Sequence, residues 1–69
     1  MSLKERIRVL KLHAGIAAQA QASEARGDWT VACLLWERAA EVGKDINHGD
    51  HAREAAVRCR RAGGRQDED

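Results

Sequence analysis

The stretch that decides the fold is GDWTVACLLWERA, residues 27–39 of a 69-residue chain. It contains both tryptophans, and the chain has no phenylalanine or tyrosine. Residues three or four apart lie on one face of a helix, so Trp29, Ala32, Trp36 and Ala39 form one stripe. Large and small side chains alternate along the stripe, which lets another helix approach closely. The stretch therefore predicts the second helix of a helical hairpin.

Local signals place the helix ends. Ser2, three residues before Glu5, is typical of a capping box. Gly27 is a stop signal and Asp28 an N-cap, and Gly43 predicts the end of the second helix. Three helices are predicted, at about residues 2–26, 28–43 and 47–61.

The C-terminal end is predicted to lie outside the packed domain. Gly63 and Gly64 should end the third helix. We therefore expect one three-helix domain over residues 1–62 and a disordered tail over residues 63–69. The fold class is all-α.

The first helix has two apolar stripes. One follows alternating spacings of four and three, as in a heptad repeat, through Leu3, Ile7, Leu10, Ala14 and Ala17. The other comprises Val9, Leu12, Ile16 and Ala20. The sequence leaves open which stripe faces inward. We assign the first stripe to self-association.

The spacing around the two tryptophans is similar to that of a tetratricopeptide unit. Ala20 falls where the first helix of that unit carries a small residue, whereas Lys44 replaces its usual terminal proline. Such units normally bury their core by stacking about three copies, and only one fits here. Small domains also bury a limited fraction of their surface. A homodimer is therefore expected.

A surface for a different partner is predicted on the second and third helices. Leu34 lies among polar residues of the second helix and should be exposed. The outer face of the third helix adds Arg53, Val57, Arg60 and Arg61. With Arg58, these arginines also suggest an alternative, a helix that enters a DNA groove. The overall charge of only +1 and the lack of Asn or Gln in this helix favour a protein partner.

Catalytic and metal sites are not expected. Cys33 and Cys59 are 26 positions apart, unlike the closely spaced cysteines of zinc sites, and His48 and His51 fall in a polar connection. We interpret the cysteines as small buried residues, although a disulfide between them stays open. No cofactor, signal peptide or membrane span is expected, and a cytoplasmic location is predicted.

The region from Ala17 to Cys59 resembles the ANR family, small bacterial negative regulators of AraC-type transcription activators. The residues that carry the resemblance are Ala17, Ala18, Glu24, Gly27, Asp28, Trp29, Ala32, Leu35, Trp36, Ala39, Ala40, Asn47 and Cys59. The chain departs from the family pattern at His51, where tryptophan is usual, and at Ala55. The resemblance implies a helical, self-associating, non-enzymatic protein that binds an activator and reduces its action. The alternative kept beside it is a small DNA-binding regulator.

Overall fold

The computed structural model describes residues 2–67, with side chains described for residues 2–63. It contains three α-helices, α1 (Leu3–Ala25), α2 (Trp29–Gly43) and α3 (Gly49–Asp67), and a short 3-10 helix, Lys44–Ile46. No strand occurs within the described range. Helix α2 packs against both α1 and α3. The predicted all-α fold, a helical hairpin followed by a third helix, is confirmed.

A left-handed glycine makes the turn between α1 and α2. Gly27 has a φ of 76°, a conformation that is unfavourable for any residue that has a Cβ atom. Its N–H donates to the Glu24 carbonyl at 2.9 Å, and the Asp28 N–H donates to the Ser23 carbonyl at 2.9 Å. These two bonds form a Schellman motif. The Asp28 side chain then caps α2 by accepting from the Val31 N–H at 3.4 Å.

The core consists of one large side chain among small ones. Trp36 is only 1% exposed. Trp29, in contrast, is half-buried at the edge of the core. The small residues buried around Trp36 are Ala20, Ala32, Ala39, Ala52, Ala55, Ala56 and Cys59. Because these side chains are small, the three helices can close around a single indole ring.

The second of the two α1 stripes faces the core. Ile16 and Ala20 of this stripe are buried, whereas Leu12 is 54% exposed and does not share the inner face with them. His13 and Ser23 are buried beside Ile16 and Ala20 instead. The four buried residues recur at spacings of three and four, which centres the buried face on them and leaves Leu12 to one side.

A buried histidine explains Gly43. The Nδ1–H of His13 donates to the Ala39 carbonyl oxygen at 2.9 Å, since a carbonyl can only accept. A Cβ added at Gly43 would lie 2.8 Å from this Nδ1 atom. Gly43 itself has a right-handed φ of −82°, and the left-handed residue of this connection is Asn47, at φ 63°. Gly43 therefore provides room for His13 at the predicted end of α2.

Helix α3 extends further than predicted. It continues through Gly63 and Gly64 to Asp67, so the predicted helix end near Arg61 is wrong. Glycine weakens a helix interior without forbidding it, and the chain has no proline to force a stop. A Cβ at Gly63 would lie 3.3 Å from the Cβ of Trp29, so this turn packs against α2. Of the predicted tail, residues 63–67 are helical, and Glu68 and Asp69 lie outside the described residues.

Alanine substitutions at two glycines should have opposite effects on stability. Gly43→Ala forces a Cβ against His13 and should lower the free energy of unfolding by about 1–3 kcal/mol, the usual cost of overpacking. Gly15 lies inside α1 with nothing within 4 Å of an added Cβ. Gly15→Ala should therefore raise stability by roughly 0.5–1 kcal/mol through its helix propensity.

Urea unfolding followed by tryptophan fluorescence measures both changes. Equal stability of Gly43→Ala and the wild type would contradict the close packing of His13 against Gly43.

Candidate functional site

The apolar stripe assigned to self-association is exposed over the first half of α1. Leu3, Ile7 and Leu10 are 74%, 44% and 41% exposed, and Ala14 is exposed as well. We call these four residues the α1 seam. Ala17, predicted to belong to the same stripe, is half-buried and packs against the core, so it is less exposed than the other four. The reason is that helix α2 begins to cover α1 at this level.

The seam is open because α1 extends past the end of its neighbour. His13 lies opposite Ala39 and Gly43, the last turn of α2. Among residues 2–12, all are exposed except Val9, which is half-buried. At 1.5 Å per residue, the ten residues Leu3–Leu12 extend about 15 Å. This segment presents its apolar side chains to solvent.

Basic side chains accompany the seam. Residues 3–12 contain Lys4, Arg6, Arg8 and Lys11 and one acidic residue, Glu5. Lys4, Arg8 and Lys11 line one shallow groove of about 320 Å³ together with Ile7. The ion pairs of the described residues are made by Lys44, Arg53, Arg58 and Arg60, and none by these four bases. The segment is therefore both apolar and positively charged.

The residues of the second predicted surface are all exposed. Leu34 is 63% exposed and lines a groove of about 310 Å³ between α2 and α3, with Arg60 on its other side. Val57 and Arg61 line a different groove, on the outer side of α3. Arg53 lies one turn before Val57, 4.0 Å from the Asp50 carboxylate.

A partly buried carboxylate connects the three helices. Glu24 accepts a hydrogen bond from the Trp36 indole N–H at 2.7 Å and an ion-paired bond from Arg58 at 3.0 Å. Partial burial alone would raise the pKa of Glu24, but the Trp36 bond and the bond and charge of Arg58 outweigh it and lower that pKa. Glu24 is therefore ionised in the folded protein at neutral pH.

Residue-by-residue reasoning did not single out Glu24 for this role. A buried tryptophan usually needs an acceptor for its N–H, and that requirement is the signal that points to a polar residue near Trp36. The periodicity of the sequence does not say which polar residue meets it.

The cysteines and histidines have structural surroundings. Cys33 and Cys59 are free thiols that line the α2–α3 groove. Burial raises the pKa of Cys59, and the Glu24 charge adds to this effect, so the thiolate is disfavoured. His51 meets the Trp36 ring edge-on at a centroid distance of 6.1 Å, and His48 similarly meets His13 at 5.3 Å.

Within the described part of the chain, no three His, Cys, Asp or Glu residues are grouped closely enough to hold a metal ion. No helix in that part has the length and apolar character needed to cross a membrane.

No protein-family model matches this chain, and no curated protein and no solved structure matches it.

Removing the charge of Glu24 should destabilise the protein in a pH-dependent way. Glu24→Gln weakens its bonds to Trp36 and Arg58 and should cost about 1.5–3 kcal/mol near neutral pH, as for hydrogen bonds to a charged group. A lowered carboxyl pKa stabilises the fold above the unfolded pKa, and that contribution is lost as the pH falls through the folded value. The stability difference between Glu24→Gln and the wild type should therefore become smaller at pH values below 4.5, the usual pKa of a glutamate.

Urea unfolding between neutral and acidic pH measures this difference. Glu54→Gln is the matched control, since Glu54 is exposed on α3. A Glu24→Gln deficit that stays constant to the lowest pH would contradict the assigned role of the carboxylate.

Proposed function

We propose that this chain is a non-enzymatic regulatory adaptor that binds a transcription activator by protein–protein contact and reduces its activity. The partner is an activator of the AraC type, as the resemblance to the ANR family implies. No cofactor takes part in this action. The protein acts by occupying a surface that the activator needs in order to dimerise or to engage DNA.

The exposed α1 seam carries this proposal. Leu3, Ile7 and Leu10 form a continuous apolar stripe on a segment that α2 and α3 do not cover. Exposing large apolar side chains in a row is unfavourable, and such patches typically mark interaction sites. A helix can bury the stripe by packing along it at the same heptad spacing.

The fold supports a contact role in a second way. Its core is one tryptophan packed mainly among alanines, and the three grooves of about 310–320 Å³ are open surfaces. A catalytic pocket is usually a concave, mainly apolar cavity into which a few polar groups converge. The grooves of this protein suit side chains of a partner more than a small substrate.

The DNA-binding alternative has weaker support. Three of its four arginines pair with carboxylates: Arg58 with Glu24 at 3.0 Å, Arg60 with Glu37 at 3.4 Å and, more loosely, Arg53 with Asp50 at 4.0 Å. A phosphate backbone would compete with these carboxylates for the same guanidinium groups.

A matched pair of leucines on α1 tests the proposal. The assay uses an AraC-type activator of the same host bound to a labelled fragment of its promoter, and adds this protein at increasing ratios. The wild type should release the activator from DNA in a stoichiometric manner. Leu10→Glu places a charge in the seam and should abolish the effect, whereas Leu12→Glu, outside the seam, should keep it.

Thermal melts of both variants establish that each is folded. If the wild type leaves the activator–DNA complex intact, the proposal is wrong. If Leu10→Glu and Leu12→Glu reduce release of the activator equally, the seam is not the contact surface.

A further inference from the structure

We infer that the α1 seam docks an acidic amphipathic helix of the partner protein. This inference rests on the proposed function, because it names the chemistry of the contact that the adaptor makes.

The basic residues occupy the positions of a heptad repeat that determine which helix can pair with it. If Leu3, Ile7 and Leu10 are core positions of a heptad repeat, then Lys4 and Lys11 flank the seam on one side and Arg6 flanks it on the other. Residues at these flanking positions form ion pairs with the partner helix and set its identity and orientation. Three cations at flanking positions call for glutamate or aspartate opposite them.

The same charges disfavour a second copy, the occupant that heptad spacing alone suggests. In a parallel pair of seams, Arg6 of one chain faces Lys11 of the other. In an antiparallel pair, Lys4 faces Lys11. Either orientation sets like charges opposite one another beside the apolar contact, which is destabilising.

The cations are also unfavourable where they stand in the free protein. Lys4 and Arg6 lie in the first turns of α1, where the helix dipole favours negative charge. Arg6, Arg8 and Lys11 have no ion-pair partner among the described residues. An acidic partner helix would therefore neutralise a repulsion that the fold itself leaves in place.

The groove beside the seam matches this occupant. Ile7 forms its apolar part, and Lys4, Arg8 and Lys11 surround it. A partner helix with an apolar side chain and, one helical turn away on the same face, carboxylates would contact both Ile7 and the surrounding bases. Helices that lie in a membrane surface combine a basic face with Trp, Phe or Leu on the other face, and α1 has leucines but no tryptophan or phenylalanine. The position of the bases around Ile7 favours a protein helix, and lipid vesicles serve as the competing occupant in the test.

Three synthetic peptides of about three heptads test the inference. All have leucine at the core positions, and the flanking positions carry glutamate, glutamine or lysine. The full chain is titrated with each peptide by fluorescence anisotropy. The glutamate peptide should bind at least about 10-fold more tightly than the lysine peptide, and raising the salt from about 50 to about 300 mM should weaken it several-fold.

Single charge reversals locate the contact. Lys11→Glu should weaken binding of the glutamate peptide several-fold, and Ile7→Glu should abolish it. Arg38→Glu makes the same change of charge at an exposed position of α2 and should leave the affinity within about twofold of wild type. Sedimentation of the free chain should show no dimer that Ile7→Glu dissociates.

Several results would overturn the inference. Equal affinity for the glutamate and lysine peptides would do so, and so would equal effects of Lys11→Glu and Arg38→Glu. A homodimer that Ile7→Glu dissociates would show that the seam binds a second copy. Binding to phosphatidylglycerol vesicles without binding to the glutamate peptide would show that it binds a lipid surface. If no peptide binds but Leu10→Glu still blocks release of the activator, the acidic chemistry is wrong and the proposed function stands. If the glutamate peptide binds but the activator is unaffected, the proposed function is wrong.

Discussion

The structure depends on the burial of Trp36 between three helices. The ring removes a large apolar surface from water, and its N–H reaches the Glu24 carboxylate on α1, which in turn binds Arg58 on α3. One side chain of α2 thereby links the two outer helices, which have little other contact with each other. The surrounding alanines follow from this arrangement, since larger side chains would hold the helices away from the ring.

His13 marks the end of the hairpin at which α1 and α2 stop packing against each other. Its ring is buried beside the last turn of α2, donates to the Ala39 carbonyl, and occupies the space that a side chain at Gly43 would fill. Beyond it α1 has no helix to pack against. The packed domain and the exposed segment therefore meet at a single residue. The closed part satisfies its polar groups internally, with no unpartnered buried side-chain atom among the described residues, and the open part leaves apolar and charged groups to solvent.

Sequence reasoning could predict the features that local chemistry determines. The Schellman turn at Gly27, the cap at Asp28 and the buried face of Trp36 depend on nearby residues and on helical period. The sequence could not decide between two apolar stripes on α1, because both satisfy that period. The choice depends on where α2 ends relative to α1. As a consequence of that position, His13 is buried on the inner face and Leu12 is exposed. The end of α3 was mistaken for a related reason, since contact of Gly63 with Trp29 is not visible in local sequence.

The exposed seam has the same spacing as a dimerising coiled coil, and this spacing added to the expectation of a homodimer that the single repeat unit and the small size of the domain had raised. Periodicity describes which side chains share a face, but it carries no information about what covers that face. Charge does carry such information, because a self-complementary contact must tolerate its own charges opposite themselves. In residues 3–12 four bases accompany one acid, whereas the whole chain is nearly neutral at +1. A second basic run, with five arginines and one glutamate, occupies residues 53–65, but Arg53, Arg58 and Arg60 of that run pair with carboxylates. The four bases of residues 3–12 have no such partner among the described residues. A surface of this kind gains more by binding an acidic helix than by binding itself.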